Sequence, residues 1–384
     1  MTEPAREPEP KELWIPGPTR VRDEVLDALT EPMVGHRTQA MRATISALDP
    51  HLHELFGADE AAHRVAVHSC TATGLMEMSL RGVGPRVLSL VGGAFSERFA
   101  RIAASIGRDV HRVPSQLGEP LDLEAARTVL EREGPFDAIT VCLSETSTGA
   151  LTPPAAVADA FEDRGDAALL VDAVTYAGAA AIDASANGLD FVFSGTQKAL
   201  ALPPGLGLYA VSRAMLDRAR SIEDRGTFLD VVGITESHAE AKPPMTPTIP
   251  LLRALRLQLE TIEEGSVELT LTDEPAPELA SLTGWERRYR RHARMRAIVR
   301  EALDSLGLTV LGGAQHDATS PTVTCVDVGG RDVEALLAKL AGDGFTVAPG
   351  YGDLRARTIR IGHMGDHSIP RLRALLASLE RALS

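Results

Sequence analysis

RVAVHSCTATGLMEMSLRGV (64–83) reads as a short apolar strand that breaks at small residues and continues as a helix. The same order returns at RVLSLVGGAFSERFARIAASIG (86–107), at DAITVCLSETSTG (137–149) and at AALLVDAV (167–174). FVFSGTQKAL (191–200) and GLGLYAVS (205–212) add two further strands. Strands alternating with helices imply a mainly parallel sheet covered by helices, with ligands at the carboxyl ends of the strands. This is a large α/β domain.

Working outward, Pro16, Gly17 and Pro18 in LWIPGPTRV (13–21) forbid regular structure, and Thr19 leads into a helix carrying Val25, Leu26 and Leu29. A second helix is expected over Thr38 to Phe56. Beyond Pro250 comes a long helix, LLRALRLQLETIEEG, then the loop TDEPAPEL and the charged helical stretch WERRYRRHARMRAIVREALDSLG (285–307). Its arginine-rich part, 287–296, reads most simply as a solvated helix. The last hundred residues give strand (TVTCVDV), helix (DVEALLAKLAGDG), strand (TIRIGHM) and helix (IPRLRALLASLERAL), a smaller α+β unit. The division expected is an N-terminal arm over 1–20, its first dozen residues mobile, a large domain over 21–275 and a small C-terminal domain over 276–384.

The chain has 384 residues, 44% of them hydrophobic, enough for a packed core. A formal net charge of −14 argues against bulk electrostatic binding to nucleic acid or anionic membrane and points to small-molecule partners. Cys70, Cys142 and Cys325 are odd in number and too far apart for a zinc or redox pair, which fits a reducing compartment. With no signal sequence and no long apolar run, the expectation is a soluble cytoplasmic protein. His51 and His53 are two apart and share no helix face, so no metal set is evident.

Three features carry chemistry. Lys198 emerges at the end of the strand DFVF among small residues, where a buried amine can be kept neutral enough to attack an aldehyde. Asp172 ends the strand ALLV, where a carboxylate can hold the protonated nitrogen of a pyridine cofactor. HSCTATG places the hydroxyls of Thr71 and Thr73, with small Ala72 and Gly74, where a helix begins, an anion site that needs no basic side chain. Each alone also fits an ordinary role: a solvated strand-end lysine, a turn-capping aspartate, a threonine N-cap. Neither the glycine-spaced dinucleotide fingerprint nor the GxxxxGK[ST] loop is matched.

Taken in this order, with PGPT (16–19), GHR (35–37), AFSERFA (94–100), ETSTGAL (145–151), LLVDAV (169–174), SGTQKALALPPG (194–205), TPTI (246–249) and RIGHMG (360–365), the sequence resembles the class V aminotransferases of fold type I, over nearly its whole length. The resemblance implies a mainly parallel seven-stranded sheet and pyridoxal 5'-phosphate as cofactor. Lys198 would hold it as a Schiff base and shuttle protons, Asp172 would hold the ring nitrogen, Phe95 would stack on one ring face and Val174 on the other. Thr71, Ala72, Thr73 and Gln197 would cradle the phosphate, and Thr146 would lie near the ring hydroxyl. Arg360 would grip the substrate carboxylate, in preference to Arg357, and Gly17 would lie against the substrate. His36 and Arg37 match a pair that binds a substrate phosphate in phosphoserine aminotransferases and also occurs in relatives with uncharged substrates.

The family's active site lies at a dimer interface, so a homodimer is implied, with Thr246 contacting the phosphate in the neighbouring subunit. Pro243 stands where a tyrosine is often found, three residues before that threonine. The activity implied is ping-pong amino transfer between a serine-like or alanine-like donor and a 2-oxo acid such as glyoxylate or pyruvate. Alternatives are a phosphoserine or aminophosphonate aminotransferase, a lyase or desulfurase of the same fold, or a binding module without turnover.

Overall fold

The computed structural model describes residues 11–312 and 319–384, so the first ten of the residues expected to be mobile lie outside it. The chain enters through a short strand, β1 (Glu12–Trp14), and then lays down β2 (His63–His68), β3 (Arg86–Val91), β4 (Asp109–Pro114) and β5 (Ala138–Cys142). A two-stranded ribbon, β6 (Ser144–Glu145) and β7 (Ala150–Leu151), precedes β8 (Ala168–Asp172), β9 (Phe191–Gly195) and β10 (Gly207–Ser212). The large sheet has seven strands in the order β2-β10-β9-β8-β5-β3-β4. Only β10 runs against its neighbours β2 and β9; the other pairs are parallel. The carboxyl ends of six strands therefore share one edge.

Every residue of β5, β8 and β9 is buried, as strands covered on both faces require. Their side chains alternate between two cores, Leu169, Val171 and Val192 entering one and Leu170, Phe191 and Phe193 the other. One local reading of the sequence changes, and one strand is not read from it. The helix expected over Thr38 to Phe56 is two, Gln39–Ser46 and Asp49–Phe56, because Pro50 lacks an N–H and its ring would clash with the carbonyl of Ser46 in a continuous helix. The edge strand β4, mostly exposed or half-buried, lacks the apolar run that marked the others.

The smaller sheet adds β11 (Thr309–Val310), β12 (Val323–Asp327), β13 (Phe345–Pro349) and β14 (Thr358–Gly362), in the order β1-β13-β14-β12-β11. Residues 12–14, expected in an arm, pair in parallel with β13. Trp14 is fully buried, with its ring stacked on His367 at 4.0 Å. No helix among the described residues is long and apolar enough to cross a membrane.

The helix Gly284–Ser305 starts in a capping box made by Thr283 and Glu286 and crosses between the two units. Trp285 belongs to a core of the large sheet, whereas Met295, Ile298, Val299 and Leu303 pack against the small one. The expectation of a solvated helix over 287–296 is corrected here: Arg288 and Arg291 are 1% exposed and His292 is fully buried. The two guanidinium charges are matched inside the protein by Glu268, on another helix, and by Asp366.

Burial also sets an acid limit on stability. It pushes His363 down to about 3, His367 down to about 4 and His292 well below the ordinary value. Each takes up a proton more readily when unfolded, so the stability they support is intact above pH 6.5 and is lost as pH falls from there toward 3. Asp172, raised to about 7 by burial, acts in the opposite sense with a single proton. Urea unfolding should thus show a lower midpoint at pH 5 than at pH 7, and His363→Gln should flatten that dependence; equal midpoints would rule the account out.

Candidate active site

Lys198 lies just beyond β9, at the edge where the parallel strands end, and is only 9% exposed. Its main chain is fixed by a turn in which Ala201 N–H donates to the Lys198 carbonyl at 2.9 Å, and the Thr19 hydroxyl donates to the same carbonyl at 3.4 Å. The amine donates to the carbonyl of Pro16. Burial lowers the ammonium to about 8; Asp172 pulls it back up, and Arg360 and Arg98 depress it further.

The loop of Pro16 and Gly17 lies directly on this amine. Gly17 has φ +98°, and a Cβ there would stand 2.6 Å from Lys198 Cδ and 2.8 Å from Nζ. Only glycine fits the backbone and the space together.

Asp172 closes β8 next to β9, paired in register with Phe193, so the carboxylate stands at the edge beyond which the chain continues from β9 to Lys198. It is 4% exposed, and Val174 N–H donates to it at 2.8 Å. Burial raises its carboxyl to about 7, opposed by that bond, while the Glu145 charge raises it further and Lys198 and Arg98 lower it.

The helix Ala72–Arg81 opens after β2 with Thr71 as N-cap, but the Thr71 hydroxyl makes no capping bond. The first-turn N–H groups thus lack a side-chain acceptor at the positive end of a helix, the arrangement that receives an anion. Thr71, Ala72, Thr73, Gln197, Asp172 and Lys198 all line one cavity of about 100 Å³, flanked by Phe95 and Val174.

Phe95 is held by a carboxylate. Glu145 is 4% exposed and accepts from Phe95 N–H at 3.2 Å, Ser96 N–H at 3.1 Å and the Ser147 hydroxyl at 2.5 Å, capping the helix Ala94–Ser105 from outside. Next to it in sequence, Thr146 lines the cavity, and its carbonyl accepts from Arg360 Nη1 at 3.2 Å. Arg360, on β14, also donates to Pro349 O at 3.0 Å and lies 5.5 Å from the Tyr351 ring centroid. Tyr351 in turn meets Phe95 at 5.8 Å between ring centroids, joining the two units across the site.

The family model for "Aminotransferase class-V" matches residues 16–352. The chain belongs to the class V aminotransferases. These are pyridoxal-phosphate-dependent enzymes of fold type I, and the seven-stranded sheet with its smaller companion is that fold. An uncharacterized aminotransferase of Methanocaldococcus jannaschii is 30% identical over 380 residues, covering 97% of this chain and 92% of that protein. The serine–glyoxylate aminotransferase of Methylorubrum extorquens is 28% identical over 392 residues, covering 98% and 92%. The crystal structure of alanine–glyoxylate aminotransferase from Nostoc sp. superposes with a TM-score of 0.85 at 26% identity, covering all of this chain and 98% of that one.

Within this class V aminotransferase, the cofactor positions read from the sequence meet in the cavity except Thr246, which is exposed on the loop before the helix Ile249–Glu264. His36 and Arg37 also lie outside it, on a largely exposed loop. Arg357 is turned away, paired with Asp327 at 2.6 Å on the surface. Sequence reasoning missed Met76 and Arg98, which line the cavity, and Glu145 and Tyr351, which hold its flanks. Glu145 was legible in principle as an acid opening the hydroxyl run ETSTG; nothing marked Tyr351.

Gly17→Ala should abolish cofactor retention or lower turnover by at least ~100-fold while leaving the fold intact, since it forces the Lys198 amine off its position by an ångström or more. Circular dichroism and steady-state rates on the same preparation check this, and a rate near wild type would refute the packing argument.

Proposed function

We propose that the protein transfers an amino group from a small amino acid of the serine or alanine kind to a 2-oxo acid such as glyoxylate or pyruvate, by ping-pong turnover, with Lys198 holding pyridoxal 5'-phosphate through its amine. The observation that carries this reading is the meeting of Lys198, Asp172 and the open helix end at Thr71–Thr73 in one cavity, with Arg360 bonded to the lining residue Thr146.

The residues present fit that cofactor. The helix N-terminus with Thr71, Thr73 and Gln197 suits a phosphate, Phe95 and Val174 suit the two faces of a flat ring, and Asp172 suits a protonated ring nitrogen. When bound, pyridoxal phosphate supplies an electron sink and a carrier for the amino group. Asp172, held near 7 by burial, ionises once a cation stands beside it and then keeps the proton on the ring nitrogen. Lys198, near 8, is largely the ammonium at neutral pH with an accessible fraction of free amine, which suits it to accept a proton from the substrate α-carbon and return it at the cofactor's carbon. Arg360 offers a planar fork to the substrate carboxylate. The serine–glyoxylate and alanine–glyoxylate relatives support the choice of donor and acceptor.

The cysteines favour amino transfer over desulfuration. Burial pushes Cys70 up to about 12 and holds Cys142 and Cys325 above the ordinary thiol value, so none offers a thiolate nucleophile. The surface positions of Thr246, His36 and Arg37 suit a homodimer in which Thr246 serves the partner's site.

Absorbance of the holoenzyme tests the reading. Wild type should carry the band of a lysine-bound pyridoxal, Lys198→Ala should lack it, and alanine or serine added alone should convert it to the pyridoxamine form. Phosphoserine converting it in their place would select the alternative donor, and no conversion by any amino acid would end the aminotransfer proposal. Arg360→Ala should raise KM for the donor by roughly 10- to 100-fold, the loss of about 1.5–3 kcal/mol from a charged hydrogen bond.

A further inference from the structure

Beneath the site, the protein buries a cluster of arginines and carboxylates that the proposed chemistry does not use. Arg288 donates from Nη1 to Glu268 at 2.5 Å and to Asp366 at 3.0 Å, from Nε to Gly178 O at 3.2 Å and from Nη2 to the carbonyl of Ala199. Arg291 binds Glu268 at 2.6 Å and donates to the carbonyls of Gly365 and His367, each at 2.8 Å. Asp366 also accepts from Arg22 at 2.7 Å and Gln258 at 3.0 Å, and Gln258 accepts from Arg22 at 2.7 Å.

A buried ion network is a weak source of stability, because well-packed apolar residues of the same volume serve as well or better. What charges give in return is direction: several fixed bonds to chosen main-chain atoms. Besides Gly178, the groups held lie in three stretches, two bound through main-chain carbonyls and one through the Arg22 side chain. Ala199 follows Lys198; Arg22 ends the loop of Gly17; Gly365 to His367 continue β14, which carries Arg360. The stretches meet at Gly365, where a Cβ would stand 3.0 Å from Thr19 Oγ1 and 3.4 Å from the Lys198 carbonyl.

We infer that Arg288 is a positioning residue for Lys198. By holding the Ala199 carbonyl it sets the depth from which the lysine side chain rises, and through Glu268, Arg291 and Asp366 it fixes that depth relative to the Gly17 loop and to Arg360. A lysine amine, a close-packed backbone and a carboxylate-binding fork supplied by distant parts of the chain are thus registered by one buried cluster in which Arg288 holds the lysine's side. The inference rests on the proposal that Lys198 holds the cofactor.

The two can be separated by trapping. Apoprotein is mixed with pyridoxal phosphate, reduced with borohydride across a pH series, and the labelled peptide is identified by mass spectrometry. Failure of wild type to label at Lys198 would refute the functional reading itself. If wild type labels, Arg288→Lys, with folding checked by circular dichroism, should trap at least ~10-fold more slowly at pH 8, with its pH midpoint moved toward that of an ordinary lysine. A folded Arg288→Lys protein with wild-type trapping profile and kcat, altered only in melting temperature, would show the cluster to be structural and overturn the inference. Arg22→Gln removes only the partly exposed arm of the cluster; it should raise donor KM severalfold with Lys198 trapping unchanged. Should Arg288→Lys not fold, an unchanged KM in Arg22→Gln overturns the inference.

Discussion

The structure turns on an amine and a carboxylate withdrawn from water side by side. Lys198 and Asp172 are each costly to bury charged; the Asp172 charge relieves the amine, and the carboxylate is relieved by the Val174 N–H and then by Lys198 and Arg98. Their adjacency is a matter of sheet order, since β8 and β9 are parallel neighbours and both end at the edge where the helix Ala72–Arg81 begins. Given that edge, the remaining parts have narrow requirements: a helix end for an anion, flat flanks for a ring and a glycine where the N-terminal loop passes over the amine.

The residues that hold the flanks show a second layer of the same economy. Glu145 bonds the first N–H groups of the helix Ala94–Ser105 and so fixes Phe95, while its neighbour Thr146 receives Arg360. One short segment thus orients a large-domain aromatic ring and a small-domain guanidinium together. The contact of Phe95 with Tyr351 closes the same circuit from the other side.

Most of the large domain was legible because strands buried on both faces announce themselves as apolar runs, and because Lys198, Asp172 and Thr71–Thr73 stand at the breaks in those runs. What escaped did so for physical reasons. The edge strand β4 has no buried face to pattern it, and Pro50 divided a helix whose apolar spacing continued across the break. Arg288 and Arg291 read as solvated because a charge run carries no sign of its partners, and Glu268 and Asp366 are brought to it only by the tertiary fold. Thr246, His36 and Arg37 lie outside the cavity of their own chain, where reading along one sequence gives no geometry.

β1 pairs with β13 across more than 300 positions of sequence. A chain made from its N-terminus therefore releases Trp14 more than 300 residues before the strand and the His367 ring that cover it. The large sheet, whose strands lie between residues 63 and 212, can assemble in the meantime. The small domain cannot, because one of its edges is made before that sheet and the rest of it after. Its completion is a closing step that joins segments more than 300 residues apart, and until then an indole waits in water for its partner.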